Sequence, residues 1–357
     1  MSSNEVAARP LSRYRVRLST PTTQVSAVVF VFIAVVMVSL PIWGSSGTMR
    51  LLVQFLTILA MAQMWNLLAG FAGLVSIGQQ AFVGIGAYGL FAAMDLFGVA
   101  PIPAVILVGL MAALIAVLTS LFAFRLRGGY FAIGTWVFAE VFRLVVSQVG
   151  VLGSGTGVTI KSLVTMTPAD RLALTYWLAV AVGFGSLVVT VLIVRSRLGL
   201  ALRAVRDSEV SAATLGVGVV STKRIVYVIA SAGCAIAGAI YYLQLLRVQP
   251  TAAFSVEWTV TMIFIVVIGG LGRIEGPILG AIVFFVLQEW LQDYGSAYLI
   301  TLGIVAVAVV LIAPRGLWGL IERRRSFELF AVHRRLMTPD RALQDPLSPT
   351  PRTEGVE

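Results

Sequence analysis

Long apolar runs, broken by short polar or basic segments, set the pattern of this chain. They lie near residues 25–43, 51–69, 79–98, 101–124, 130–149, 174–194, 225–246, 258–272, 276–292 and 298–313. A helix of about 20 apolar residues crosses a bilayer. Ten transmembrane helices are therefore predicted, the last three short for a full crossing. The seventh run is interrupted only by Ser231, Gly233 and Gly238, small residues that suit close helix packing. The first run is too long for the core of a signal peptide, and no small-x-small site follows Pro41-Ile42-Trp43. A retained anchor is expected there. Around 258–292, the turn Gly269-Gly270-Leu271-Gly272-Arg273-Ile274-Glu275-Gly276 separates two short pieces that either cross twice or dip in and return. The fold class is an all-α polytopic membrane protein with a broken or re-entrant helix. A basic N-terminal segment, 1–24, precedes a transmembrane domain, 25–320, with a polar loop at 195–224. A basic, Pro-rich tail, 321–357, follows.

Composition supports this class. Of the 357 residues, 59% are hydrophobic and 12% charged, against about half and about a quarter in globular chains. Mean hydropathy is +0.95. A soluble enzyme needs a charged exterior, so that class is excluded, with disorder and disulfide scaffolds. Cys234 and His333, the only residues of their types, leave almost no ligands for a zinc or iron–sulfur site.

Charge gives orientation. If the N-terminus is cytoplasmic, twenty-one of the 26 Lys and Arg residues fall on the cytoplasmic side. Only Arg50, Lys161, Arg171 and Arg247 fall opposite, and Arg143 lies within a run. The positive-inside rule then predicts both termini inside. The net charge of +10 is explained by topology rather than by nucleic acid.

Several stretches carry candidate chemistry. Gly70-Phe71-Ala72-Gly73-Leu74-Val75-Ser76-Ile77-Gly78-Gln79-Gln80 precedes a run holding Gly84, Gly86 and Gly89. Either a helix is broken at membrane depth, where transporters build their paths, or the glycines let helices pack closely. Glu140 and Arg143 lie mid-span, where each lone charge costs about 2.5–3.5 kcal/mol. Their i,i+3 spacing puts them on one face, so a mutually neutralising, inward-facing pair is expected, as a path lining or a helix lock. Asp95, Glu257, Glu289 and Asp293 sit at outer span ends and read as interfacial.

Between Arg195 and Arg224, the stretch from Arg203 to Gly216 reads as one short amphipathic helix. Val205, Val210, Ala213 and Leu215 are apolar, and Arg206, Asp207 and Glu209 are charged. It is either a docking knob for a soluble partner or a solvated loop helix. In the tail, Phe327, Leu329, Phe330 and Val332 read as a solvated segment or a short surface helix. Gly269-x-x-Gly272-x-x-x-Gly276 follows no soluble strand and is not a dinucleotide site. There is no Walker lysine motif and no Ser/His/Asp set, so any ATP hydrolysis must come from another chain.

The motifs together resemble a known family. They include Gly73-Leu74-Val75-Ser76-Ile77-Gly78-Gln79-Gln80-Ala81-Phe82, Gly129-Tyr130-Phe131-Ala132-Ile133-Gly134-Thr135 through Ala139-Glu140, and Leu202-Arg203-Ala204-Val205-Arg206-Asp207 through Leu215-Gly216. Gly269-Gly270-Leu271-Gly272, Gly276-Pro277-x-x-Gly280-Ala281 and Ala313-Pro314-Arg315-Gly316-Leu317 follow in order. Over roughly 50–320 the chain is similar to the permease subunits of bacterial branched-chain amino acid ABC importers, LivM type. The resemblance implies an import subunit of the bacterial inner membrane, not an enzyme and binding no cofactor of its own. Its partners would be a second homologous permease, two cytoplasmic ATPases carrying ATP-Mg, and an extracytoplasmic substrate-binding protein. Arg203, Arg206, Asp207, Glu209, Ala213, Leu215 and Gly216 would then couple to an ATPase. Ser76, Gln79, Gln80, Thr135, Glu140 and Arg143 would line the path or lock helices. Ser154, Gly155 and Thr156 would face the binding protein. Urea and short-amide permeases share much of this pattern. An ion-coupled secondary transporter would need an unpaired intramembrane carboxylate, and Glu140 has Arg143 beside it.

Overall fold

A computed structural model describes residues 15–17, 21–163, 166–291, 297–313, 315–324 and 335–337. Asp293, most of the basic N-terminal segment and most of the tail, including Phe327, Leu329, Phe330 and Val332, lie outside the described residues.

Each of the ten apolar runs falls on a helix. These are α1 (Pro21–Trp43), α2 (Ser46–Asn66), α3 (Gln80–Phe91), α4 (Pro101–Ala123), α5 (Gly129–Gln148), α6 (Pro168–Arg195), α9 (Val219–Leu245), α11 (Glu257–Gly269), α12 (Gly276–Leu291) and α13 (Ala297–Ile312). Short helices fill the connections: α7 (Arg197–Asp207), α8 (Glu209–Thr214), α10 (Pro250–Ala253) and, at the end, α14 (Gly316–Arg324). Two antiparallel strand pairs complete the described chain. β1 (Arg15–Arg17) pairs with β4 (Arg335–Met337), and β2 (Val158–Thr159) with β3 (Arg247–Val248).

By length and composition, six described helices can each cross a membrane: Ser46–Phe71, Pro101–Ala123, Gly129–Gln148, Pro168–Arg195, Val219–Leu245 and Pro250–Gly269. Val31–Trp43, Gln80–Leu96 and Gly276–Leu291 are apolar but shorter. Several helices start before their apolar run because capping, rather than hydropathy, sets the first turn. Thr167 accepts from the Asp170 N–H at 3.2 Å, and Pro168 takes the first helical position, so α6 begins ahead of residue 174. Ser45 caps α2 in the same way through Thr48.

The core is built on α2 and α9, with 78% and 61% of their most apolar windows buried. α3 crosses α9 at two reciprocal glycines. A Cβ at Gly86 would run into the Ala235 carbonyl, and one at Gly238 into the Val83 carbonyl. The absent side chains let the backbones approach, which supplies the packing that helices in lipid need. Cys234, one residue before that contact, is fully buried, its Sγ 3.9 Å from the Met61 carbonyl. α6 is tied to α1 by the Tyr176 hydroxyl, which donates to the Met37 carbonyl at 2.7 Å.

Candidate functional site

The glycine-rich segment after α2 is a break in the helical ladder. α2 widens into a π-helical turn, Leu67–Phe71, and the chain runs irregularly until Gln80 opens α3. Gly73 adopts a left-handed φ of 70°, a conformation open to glycine at no steric cost. The freed backbone groups are met by side chains. Trp65 Nε1 donates to the Ser76 carbonyl at 2.8 Å, and the Gly78 N–H donates to Ser76 Oγ at 3.2 Å. The Gln80 N–H donates to Thr259 Oγ1 at 3.3 Å, and that hydroxyl in turn donates to Gln80 Oε1. Ser76, Gln79 and Gln80 are all buried. Gln79 shares an unusual state with Gln63: both side chains are fully buried, with neither amide atom hydrogen-bonded. Leaving such a group unpaired costs about 1–3 kcal/mol. Gln63, Asn66 and Thr259 were not singled out from sequence. The available signal for the first two was a pair of amides three residues apart at the C-terminal end of α2.

The break is cross-linked to two other segments at its end of the bundle. Asn66 Nδ2 donates to the Arg273 carbonyl at 2.7 Å, and the Gly272 N–H donates to Asn66 Oδ1 at 2.9 Å. Arg273 pairs with Glu322 of α14, while Glu275 is buried. From the polar loop, Arg206 Nη1 donates to the Gly70 carbonyl. The turn between α11 and α12 therefore lies at the same end as α7.

The loop itself differs from the expectation of one amphipathic helix. Ser208, in extended conformation, ends α7 and caps α8 by accepting from the Ser211 N–H at 3.2 Å. A serine N-cap with an acidic residue in the first turn starts a new helix, and Glu209 supplies the acid. The expected apolar face divides as a result. Leu202 and Val205 are buried, whereas Val210 and Leu215 are 77% and 79% exposed. Asp207, Glu209, Ala213 and Gly216 are exposed and Arg203 is half-buried. Arg206 reaches back to the break. Glu209 pairs with Lys223 of α9. A cleft of about 1080 Å³ separates α8 from the start of α5, with Gly73, Arg127, Val210 and Lys223 on its walls.

On α5, Thr135 is buried and its hydroxyl donates to the Ala132 carbonyl at 2.8 Å. A Cβ at Gly78 would strike the Thr135 backbone, so α5 rests on the break at this point. Glu140 and Arg143 form the predicted ion pair, with Nε 2.9 Å from Oε2. The expected inward orientation is corrected. Their side chains are 46% and 27% exposed, on the bare face of α5. Spacing fixed the shared face but not the neighbour, and only 17% of the most apolar window of α5 is buried by the rest of the chain.

At the other end, Gly153, Gly155 and Gly157 have φ of 89°, 85° and 91°, and Ser154 takes the same region at 43°. Thr156 Oγ1 closes the turn on the Gly153 carbonyl at 2.7 Å. Ser154, Gly155 and Thr156 are exposed. Asp95, in the π-helical turn Ala92–Leu96 that follows α3, accepts from the backbone N–H of Lys161 at 2.7 Å and of Ser162 at 3.0 Å, bracing this loop.

A bundle of apolar helices, six of them long enough to cross a membrane, with a broken helix and polar cross-links at one end, is the architecture of a polytopic membrane protein. A family profile described as branched-chain amino acid transport system / permease component matches residues 47–314, and the chain belongs to that family. It is 26% identical over 313 residues to the high-affinity branched-chain amino acid transport system permease protein LivM of Escherichia coli K12, covering 80% of this chain and 73% of the relative. The LivM protein of Salmonella typhimurium LT2 is 26% identical over 309 residues, 79% of this chain and 72% of its own. A probable branched-chain amino acid transport permease protein LivM of Methanocaldococcus jannaschii is 22% identical over 203 residues, 56% and 59% of the two chains. No solved structure matches.

Proposed function

We propose that this chain is the transmembrane permease subunit of an ATP-driven importer that carries branched-chain amino acids across a bacterial cytoplasmic membrane. Family membership and the names of the relatives support the substrate class. The observation that carries the mechanism is the Arg206 guanidinium on the Gly70 carbonyl. It links an exposed loop to the broken helix, so movement imposed on α7 and α8 reaches the break directly. A pair of ATPase subunits holding ATP-Mg would impose it, docking on Val210, Leu215 and the acidic Asp207 and Glu209. The chain itself would hold no cofactor. A binding protein would deliver substrate at the Gly153–Gly157 loop, and a homologous permease would cover the bare face of α5. The proposed topology is ten crossings, or eight plus a re-entrant pair, with both termini cytoplasmic, on the grounds of the basic bias and of the β1–β4 pairing.

Uptake of labelled leucine, isoleucine and valine by cells that depend on this chain tests the substrate class. Transport of urea or short amides in their place would overturn it. Asp207→Lys and Glu209→Lys should each weaken ATPase co-purification and uptake while membrane insertion persists. A reporter active only outside the cytoplasm, fused after Leu320, should be silent.

A further inference from the structure

A pocket of about 630 Å³ opens at the end of the bundle opposite the α7–α8 loop, where α9 gives way through β3 and α10 to α11. One wall is aromatic. The Trp258 ring meets Tyr241 edge-on at 4.8 Å and Tyr242 at 6.2 Å between centroids. Trp258 Nε1 donates to the Ala252 carbonyl at 2.9 Å, so the turn at α10 fixes the indole. Arg247 and Glu257 also line the pocket, and both are exposed. Neither belongs to an ion pair among the described residues. Glu257, expected from sequence to be merely interfacial, thus faces a concave surface with a cation on it.

Opposite charges that share a pocket without pairing are matched by a solute that carries both. An α-amino acid zwitterion does so: its carboxylate suits the Arg247 guanidinium, a bidentate donor, and its ammonium suits Glu257. The aromatic wall suits an aliphatic side chain, which gains by leaving water. The exposed rim keeps such binding weak, as a site of transit requires. The pocket also adjoins the delivery loop. β3 pairs with β2, and a Cβ at Gly157 would press on Gln249 and the Val248 carbonyl.

We propose that this pocket receives a zwitterionic amino acid with an aliphatic side chain before it enters the translocation path, a reading that rests on the proposed transport function. The test uses the assembled transporter in lipid nanodiscs without its binding protein, with ligand contact read by saturation-transfer NMR. Leucine, 3-methylbutylamine, which lacks the carboxylate, and 4-methylpentanoate, which lacks the ammonium, are the probes. Leucine should give methyl signals with the wild type. Arg247→Gln should weaken leucine about fivefold to tenfold and leave the amine unchanged. Glu257→Gln should weaken leucine similarly and leave the acid unchanged. Trp258→Ala should weaken all three probes; if it fails to assemble, the two rim variants carry the test. No leucine signal with the wild type, or equal losses for all three probes in Arg247→Gln, would overturn the proposal. So would a loss of binding-protein-stimulated ATP hydrolysis in Arg247→Gln with leucine contact intact, because the rim would then be a protein dock. Leucine uptake by the same assembly reads the transport assignment separately. Wild-type uptake with unaltered rim variants removes the pocket alone, and absence of branched-chain amino acid uptake removes both.

Discussion

α2 with its π-helical turn (Ser46–Phe71) and α5 span 26 and 20 residues, and their most apolar windows have mean hydropathies of 1.6 and 1.4. Yet 78% of one window is buried by the chain and 17% of the other. Hydropathy therefore reports the membrane, not the neighbour. What distinguishes α2 is its C-terminal half and the π-helical turn after it, where Ala60, Ala62, Gln63, Asn66 and Ala69 are small or polar and buried. Small residues admit other helices, and Asn66 finds protein partners at Gly272 and Arg273. α5 instead projects Ile133, Trp136, Val137, Val141, Leu144 and Val145 outward, with Glu140 and Arg143 among them. An ion pair on a lipid-facing stripe is costly, which is why the second permease proposed above is placed on the bare face of α5.

The sharpest way to break this contrast is a glycine on each side of it. A Cβ at Gly70, just after α2, would meet the backbone of Gly272, whereas one at Gly129 in α5 meets nothing. Gly70→Val should abolish accumulation of the folded chain in membranes, read by fluorescence-detected size exclusion. Gly129→Ala should leave it level or raise it slightly, because alanine favours a helix by about 0.5–1 kcal/mol. Equal losses would mean that α5 is covered after all.

The ion pair is next in size. Within the isolated chain Glu140→Gln or Arg143→Met should change stability by less than about 1 kcal/mol, as for exposed pairs. In the full assembly the same single changes should cost about 3–5 kcal/mol, as when one member of a covered pair is lost. The double variant should recover assembly at least in part. Thermal unfolding of the isolated chain in detergent measures the first, and co-purification of the second permease measures the second. If isolated and assembled chains respond alike, nothing covers α5. If the double variant assembles but does not transport, the pair serves the path rather than the seam.

A smaller effect is expected at the α2 end. Asn66→Ala leaves the Gly272 N–H and the Arg273 carbonyl without that amide. Thermal unfolding in detergent should fall by the equivalent of about 1–3 kcal/mol. Smallest of all, Lys223→Gln removes a pair whose Glu209 is largely solvated, worth at most about 1 kcal/mol.

The apolar runs were legible because each lone span writes its own length into the sequence. The i,i+3 ion pair was legible for a similar local reason. The break at Ser208 escaped because apolar residues stand on both sides of it, Val205 before and Val210, Ala213 and Leu215 after, although Asp207-Ser208-Glu209 carries the cap and its acid. The outward orientation of Glu140 and the convergence of Asn66, Arg206 and Gly272 were not legible. They depend on which helices meet, and segments 136 to 207 residues apart in the chain leave no periodicity to read. The aromatic pocket escaped for the same reason, since its walls come from two helices and the turn between them.

The single cysteine has a practical corollary. Cys234 sits sealed between α9 and α2, beyond the reach of thiol reagents from either aqueous phase. A cysteine introduced at Val210 and another at Thr156, both exposed, would be the two sites that take a spin label or fluorophore, with the native thiol left in place. The distance between those two labels would then track the opening and closing of the chain's two mouths through a transport cycle.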